Sequence, residues 1–318
     1  MSEYLLFILG FPLLLGGASA LVSGSSSLAL RFGVSELVVG LTVVATGTSA
    51  PELVVSLLSA FQGAADIAVG NVLGSNLANI LLILGLAALI TPLALEKTMR
   101  WREIPFVLLS TLVLVVLAND HFLADRPASM LDRGDGLAIL GYFAVFMYYV
   151  FSVARRKDES QESPGKRLSL PLAVLLTVAG IVGLGLGGQW LVDGAKSLAA
   201  AAGMSQAMIG LTIVAVGTSL PELATSIMAA LKGNADIAVG NVVGSNIFNI
   251  LWILGLTATI TPITYNPELN ADIWFLVAVT VLFFVFTFTG KRHKVDRREG
   301  LLFVLLYAGY MVFLVLRG

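Results

Sequence analysis

Two glutamates stand in the same phrase at two places in the chain. Residues 47–53 read Gly-Thr-Ser-Ala-Pro-Glu-Leu and residues 217–223 read Gly-Thr-Ser-Leu-Pro-Glu-Leu, each inside a long apolar stretch. A carboxylate at membrane depth costs roughly 2.5–3.5 kcal/mol on insertion scales, so Glu52 and Glu222 need a compensating partner. Two such groups in matching positions point to a shared cation site. Other oxygens surround them. Pro51 has no N–H, so the carbonyl of Gly47, four residues back, loses its helical partner. Gly47 lets the chain leave helix geometry there, which frees the carbonyls from Ala45 to Thr48 to turn toward an ion. Thr48, Ser49 and Glu52 share a helix face. Ala215, Gly217, Thr218, Ser219, Pro221 and Glu222 repeat the arrangement. Further along, Gly70 to Asn76 and Gly240 to Asn246 are small-residue runs suited to close helix packing in lipid. In each run a serine and an asparagine fall four apart on one face, Ser75 with Asn79 and Ser245 with Asn249, and add neutral oxygens.

Hard oxygens with two carboxylates suit Ca²⁺, which takes about 6–8 oxygen ligands, and Na⁺ uses the same oxygen types. The chain has no cysteine, so softer metals and disulfides are disfavoured. The two histidines, His121 and His293, fall in expected loops. Two carboxylates without an ion repel each other. One Ca²⁺ or two Na⁺ would neutralise the pair, and competition for one negative site is the simplest physical basis for exchange. The ions are then transported substrates, and no resident cofactor is implied.

The positioning elements are transmembrane helices. Of 318 residues, 57% are hydrophobic and only 12% charged, and the mean hydropathy is +0.92. Soluble domains carry about 25% charged residues. No basic stripe with interleaved aromatics suggests nucleic-acid binding. The apolar start, Leu5 to Leu30, lacks the positive flank of a signal peptide, since Glu3 is the only charge before Arg31; it reads as a retained helix. Ten stretches reach spanning length, near 4–30, 36–60, 67–93, 102–119, 134–154, 169–200, 206–230, 237–262, 270–289 and 299–316, and helices are favoured over strands throughout. With ten crossings, 15 of the 19 Lys and Arg fall in one set of connections and 4 in the other. The positive-inside rule makes the first set cytoplasmic and puts both termini outside a cell membrane crossed many times.

The chain also repeats itself at an offset of 170 residues. Fourteen of 19 positions are identical between 62–80 and 232–250, and Gly24, Gly33 and Gly40 have counterparts in Gly194, Gly203 and Gly210. Each half holds five helices, and an odd number makes the second half enter from the opposite side. The expected organisation is all-α: a first five-helix repeat over 1–154 with its core motif over 36–93, a cytoplasmic linker over 155–168, and a second repeat over 169–318 with its core motif over 206–262. Helices two and seven are expected to be broken. Gly16, Gly17, Gly24, Gly183, Gly185, Gly187, Gly188 and Gly194 give helices one and six little bulk, which would ease sliding.

The paired Gly-Thr-Ser-x-Pro-Glu and Gly-Asn-Val-x-Gly-Ser-Asn segments resemble the α-repeats of the sodium/calcium exchanger family, within the cation/calcium exchanger superfamily. The resemblance spans nearly the whole chain, of the prokaryotic kind without a large regulatory loop. It implies alternating access around a central cluster, with helices one and six moving across a fixed core. By motif position it implies the Glu52 and Glu222 carboxylates and the Thr48 and Thr218 carbonyls as cation ligands. For sodium it adds the Ala45 and Ala215 carbonyls with Ser49, Ser219, Ser75 and Ser245. Asn79 and Asn249 would line the site. Some relatives carry Asp at the position of Asn249, so this chain's site holds a charge of −2 at most, and potassium dependence is put in doubt.

Plainer readings compete. The glutamates would otherwise make a structural hydrogen bond, and the Thr and Ser hydroxyls would bond back to their own helix. Ser75 and Ser245 would pack helices, and Asn71, Asn76, Asn241 and Asn246 would bond between helices. Asp66 and Asp236 are expected as helix N-caps, with ion recruitment as the alternative. Asp120, Asp125, Asp132 and Asp135 read as a solvated outer loop. Among functions, Na⁺-coupled Ca²⁺ antiport leads, proton-coupled Ca²⁺ antiport on the same glutamates is the alternative, and a channel is a third class. An enzyme is disfavoured, because no histidine falls in an expected helix to serve Ser49 or Ser219 and no aspartate pair sits at membrane depth.

Overall fold

The computed structural model describes residues 2–123, 128–154, 168–201, 215–289 and 293–317, with only the backbone of residues 2–4, 122, 123, 200 and 215. Gly203, Gly210, the start of the second core motif (206–214), linker residues 155–167 and Asp125 lie outside the described residues. The apolar runs form helices because a backbone in lipid must satisfy its own hydrogen bonds. We label them α1 (Ser2–Phe32), α2 (Glu36–Thr48), α3 (Ala50–Phe61), α4 (Ala65–Ile90), α5 (Ile104–Leu117), α6 (Asp120–Leu123), α7 (Arg133–Ala154), α8 (Leu170–Ala201), α9 (Ala215–Thr218), α10 (Leu220–Leu231), α11 (Ala235–Ile260), α12 (Asn270–Thr289) and α13 (Arg297–Arg317).

Among the described residues seven helices are long and apolar enough to cross a membrane, and eight if the bent pair α2–α3 counts as one span. The chain is thus an all-α, multi-pass membrane protein. Of the ten expected stretches, 102–119 appears as the 14-residue α5 behind a π-helical turn, Met99–Glu103. In 206–230 only α9 and α10 are described. The outward surface is apolar, with Leu137, Val145, Leu175, Leu305 and Leu316 exposed, as a lipid-facing surface requires.

Strands are not wholly absent. Leu93–Ala94 (β1) pairs antiparallel with Lys294–Val295 (β4), and Met130–Leu131 (β2) pairs with Ile263–Thr264 (β3). These two-residue ladders lie in the connections, where hydropathy periodicity carries no signal. His121 likewise sits on the one-turn α6 rather than in a loop. Asp66 and Asp236 are not caps. Their helices start at Ala65 and Ala235, so both fall in the first turn, where a carboxylate favours the helix dipole. Asp132 and Asp135 do cap: Oδ1 of Asp132 accepts from Asp135 N at 3.0 Å, and Oδ2 of Asp135 accepts from Asp132 N at 2.9 Å. Asp296 and Glu299 do the same at α13. Such reciprocal boxes satisfy N-terminal donors at both helices.

The 170-residue offset recurs in the structure. It relates α3 to α10, α4 to α11 and β1 to β3, and the π-helical turns Ala78–Ile83 and Phe248–Leu254 begin at matching positions. At the centre lies α11, of which 94% of its apolar window is buried. It meets α2 at backbone distance. A Cβ on Gly240 would fall 2.9 Å from the Leu37 carbonyl oxygen, and one on Gly244 would fall 2.8 Å from Leu41 Cα. Helices α1 and α8 pack on each other by the same device. A Cβ on Gly180 would meet Leu21 N at 2.5 Å, and one on Gly17 would meet Leu184 N at 2.8 Å. Gly17, Gly24, Gly187 and Gly194 therefore let α1 and α8 pack at backbone distance as a pair, and Gly188 looks toward Pro221.

Candidate functional site

The helix breaks at the two phrases, at the serine rather than at the glycine two residues before it. Ser49 (φ −83°, ψ 8°) and Ser219 (φ −85°, ψ 5°) are the non-helical residues, in the sparsely allowed bridge region. Across Ser49, α2 and α3 differ in direction by 46°. Gly47 stays helical. Its missing side chain serves space instead, since a Cβ there would fall 2.8 Å from Ile181 Cδ1. Pro51 and Pro221 open the next helices, in a position that needs no N–H donor. Each glutamate then stands in the first turn of its new helix.

Glu52 and Glu222 are fully buried, and so are Thr48, Asn79, Ser245 and Asn249. Ser49, Ser75, Thr218 and Ser219 are buried as well. The halves interlock here. Ser49 Oγ lies 3.0 Å from Glu222 Oε1 and 3.0 Å from Ser245 Oγ. Glu52 lies beside Ser75 and within electrostatic reach of Glu222. The Ala45 carbonyl accepts from Ser49 N at 3.0 Å, and Thr48 Oγ1 lies 3.3 Å from it, its single proton shared with Asn241 Oδ1 at 3.1 Å, so the expected back-bonding is at most partial. In the other half Ser219 N bonds instead to the Val216 carbonyl at 3.2 Å. Ala215 begins the short α9, and its side chain is not described.

Asparagines hold this cluster together. Asn76 Nδ2 donates to the Asn246 carbonyl and Asn246 Nδ2 to the Asn76 carbonyl, each at 3.3 Å. Asn79 Nδ2 donates to Asn246 Oδ1 at 2.9 Å, and Asn249 Nδ2 donates to Asn76 Oδ1 at 3.0 Å. With their amide groups committed outward, Asn79 and Asn249 have one free acceptor each. Asn71 and Asn241 bond between helices too, through Ser56 and Ser226. Those two serines were missed in the sequence; their 170-residue spacing was the available signal.

Seven buried side-chain oxygens around this point have no hydrogen-bond partner: both of Glu52, Glu222 Oε2, Ser75 Oγ, Ser219 Oγ, Asn79 Oδ1 and Asn249 Oδ1. Buried acceptors are normally paired, and an unpaired carboxylate is costly. An arrangement of oxygens from both halves, with few donors, is complementary to a cation. Among the described residues no group of three or more His, Cys, Asp or Glu could hold a metal, so neutral oxygens must supply most of any cage. A cavity of about 390 Å³ lies elsewhere, between α12 and α13, and is lined by Phe275, Tyr310 and Phe313. A second, of about 370 Å³, runs between α8 and the broken helices and reaches Thr218, Pro51 and Pro221.

Known proteins are similar to this chain in sequence and in shape. The family model described as sodium/calcium exchanger protein matches residues 2–152 and 172–316. The putative antiporter CaxA of Alkalimonas amylolytica is 39% identical, over 96% of this chain and 97% of its own length. The sodium/calcium exchanger MaX1 of Methanosarcina acetivorans is 32% identical, over 98% of each. A solved structure of the sodium-calcium exchanger NCX_Mj superposes with a TM-score of 0.84 at 32% identity, covering 98% of this chain and 97% of that one.

Proposed function

This chain belongs to the sodium/calcium exchanger family, a family of membrane cation/calcium antiporters, and on that premise we propose that it exchanges Ca²⁺ for Na⁺ by alternating access at one central site. The Glu52 and Glu222 carboxylates and the Thr48 and Thr218 carbonyls hold Ca²⁺. The Ala45 and Ala215 carbonyls with Ser49, Ser219, Ser75 and Ser245 complete the sites for Na⁺, and Asn79 and Asn249 line the cage. The observation that carries this reading is the set of seven buried, unpartnered oxygens contributed by both halves. One Ca²⁺ or two Na⁺ neutralise the two carboxylates. Both loads cannot be present together without a buried excess of positive charge, so binding of one expels the other.

The architecture that serves this is ten spans in two inverted five-helix halves, 1–154 and 169–318. The 170-residue offset of α3/α10 and α4/α11 supports it, as do the mirrored pairings of β1 with β4 and of β3 with β2. The charge bias supports a cytoplasmic linker at 155–168 and both termini outside. The test is radiolabelled Ca²⁺ uptake into proteoliposomes under an imposed sodium gradient, repeated with a proton gradient alone. Uptake under the sodium gradient is expected. Uptake under the proton gradient alone would replace this reading with proton-coupled antiport on the same glutamates.

A further inference from the structure

Each broken helix is tied to the opposite half through one asparagine. Asn241 Nδ2 donates to the Glu222 carbonyl at 3.3 Å and to Ser226 Oγ at 2.9 Å, while its Oδ1 accepts from Thr48 Oγ1 at 3.1 Å. Asn71 repeats this: Nδ2 donates to the Glu52 carbonyl at 3.2 Å and to Ser56 Oγ at 3.0 Å, and Oδ1 accepts from Thr218 Oγ1 at 3.5 Å. Both serines pass the chain on to a backbone carbonyl, Ser226 to Ala238 and Ser56 to Ala68. The amide orientation is forced. Reversed, each Oδ1 would face a backbone carbonyl, acceptor against acceptor.

We propose that Asn71 and Asn241 are positioning residues that set the size of the cation cage. Each amide fixes the distance between a glutamate of one half and the threonine of the other, so the two amides fix the cage across both diagonals. The inference rests on the cation site proposed above. It adds that cage dimension is imposed from outside the ligands, by groups that touch no ion. With its hydroxyl held by asparagine, each threonine is tethered beside the glutamate helix of the other half.

The test uses the purified full chain. Ca²⁺ and Sr²⁺ affinities are measured by titration calorimetry, and transport in proteoliposomes, for the wild type, Asn241→Ala, Asn71→Ala, Thr48→Val and the double variant Thr48→Val/Asn241→Ala. Asn241→Ala is expected to weaken Ca²⁺ binding about tenfold, or about 1.4 kcal/mol. It should also change the Sr²⁺ to Ca²⁺ affinity ratio, because a loosened cage discriminates size less. Asn71→Ala should do less, since its threonine contact is longer. Thr48→Val keeps shape and loses only the hydroxyl; it should reproduce the Asn241→Ala phenotype, with the double variant no worse than either single one. Unchanged affinities and ratio, with only less folded protein recovered, would overturn the proposal. Additive losses in the double variant would do so too. A wild type that binds neither cation would instead sink the underlying site assignment.

Discussion

Replacing Glu52 with glutamine isolates the charge at the centre of the protein. Neither Glu52 oxygen has a donor in good hydrogen-bond geometry and glutamine has the same shape, so Glu52→Gln changes little besides the charge. What it removes is one of two buried negative charges. At an effective dielectric of about 20, two unit charges about 4 Å apart interact by about 4 kcal/mol, so a divalent ion loses about 8 and a monovalent ion about 4. If rearrangement and water return half of that, Ca²⁺ still loses about 4 kcal/mol, roughly a thousandfold in affinity. Two carboxylates buried at one site are disfavoured without an ion, so the cation-free variant should melt at a higher temperature than the cation-free wild type. The assay is paired: sodium-driven Ca²⁺ uptake in proteoliposomes, and thermal melting in detergent with and without Ca²⁺. Uptake should vanish, cation-free melting should rise, and Ca²⁺ should no longer raise it. Full uptake, or an unchanged Ca²⁺-dependent rise in melting temperature, would refute the reasoning.

Other perturbations follow from the same geometry. Glu222→Gln should also abolish Ca²⁺ uptake with the protein still inserted, but with a smaller gain in cation-free stability, because Glu222 Oε1 already has a donor in Ser49; normal uptake would contradict the assignment. Gly180→Leu should lower the melting temperature through about 1–3 kcal/mol of overpacking, since its Cβ meets the α1 backbone, whereas Gly16→Ala, with nothing within 4 Å, should be silent. Equal melting of the two would show that the seam yields freely. Lys232 Nζ donates to the Ser19 carbonyl at 2.7 Å, to Ser19 Oγ at 2.8 Å and to Ser23 Oγ at 2.7 Å, tying the end of α10 to α1. Lys232→Met should cost about 1 kcal/mol, the modest value of an exposed charged contact, and raise amide hydrogen exchange around Ser19–Ser23; unchanged exchange there would remove this tie from the account.

The membrane class, the breaks near Pro51 and Pro221, and the pairing of the two glutamate-bearing phrases were all legible in the amino-acid sequence. Each depends on local composition or on a repeat that needs no partner to be read. A glutamate in an apolar run is conspicuous anywhere, and a phrase spoken twice marks two equivalent places. Locations decided by packing were not legible. Gly47 looked like the hinge, yet the turn falls on Ser49, because the glycine's lack of side chain is used to admit Ile181. The helix-one and helix-six glycines carry no mark of their partner in the sequence, and only the structure shows that most of them pack those two helices on each other. Only the tertiary structure decided that Thr48 faces Asn241 and Ser49 faces Glu222, each more than half the chain away. The reason is physical: the repeat specifies two similar halves, but which oxygen meets which donor across them depends on how closely the glycine-bearing faces of α2 and α11 allow the backbones to approach.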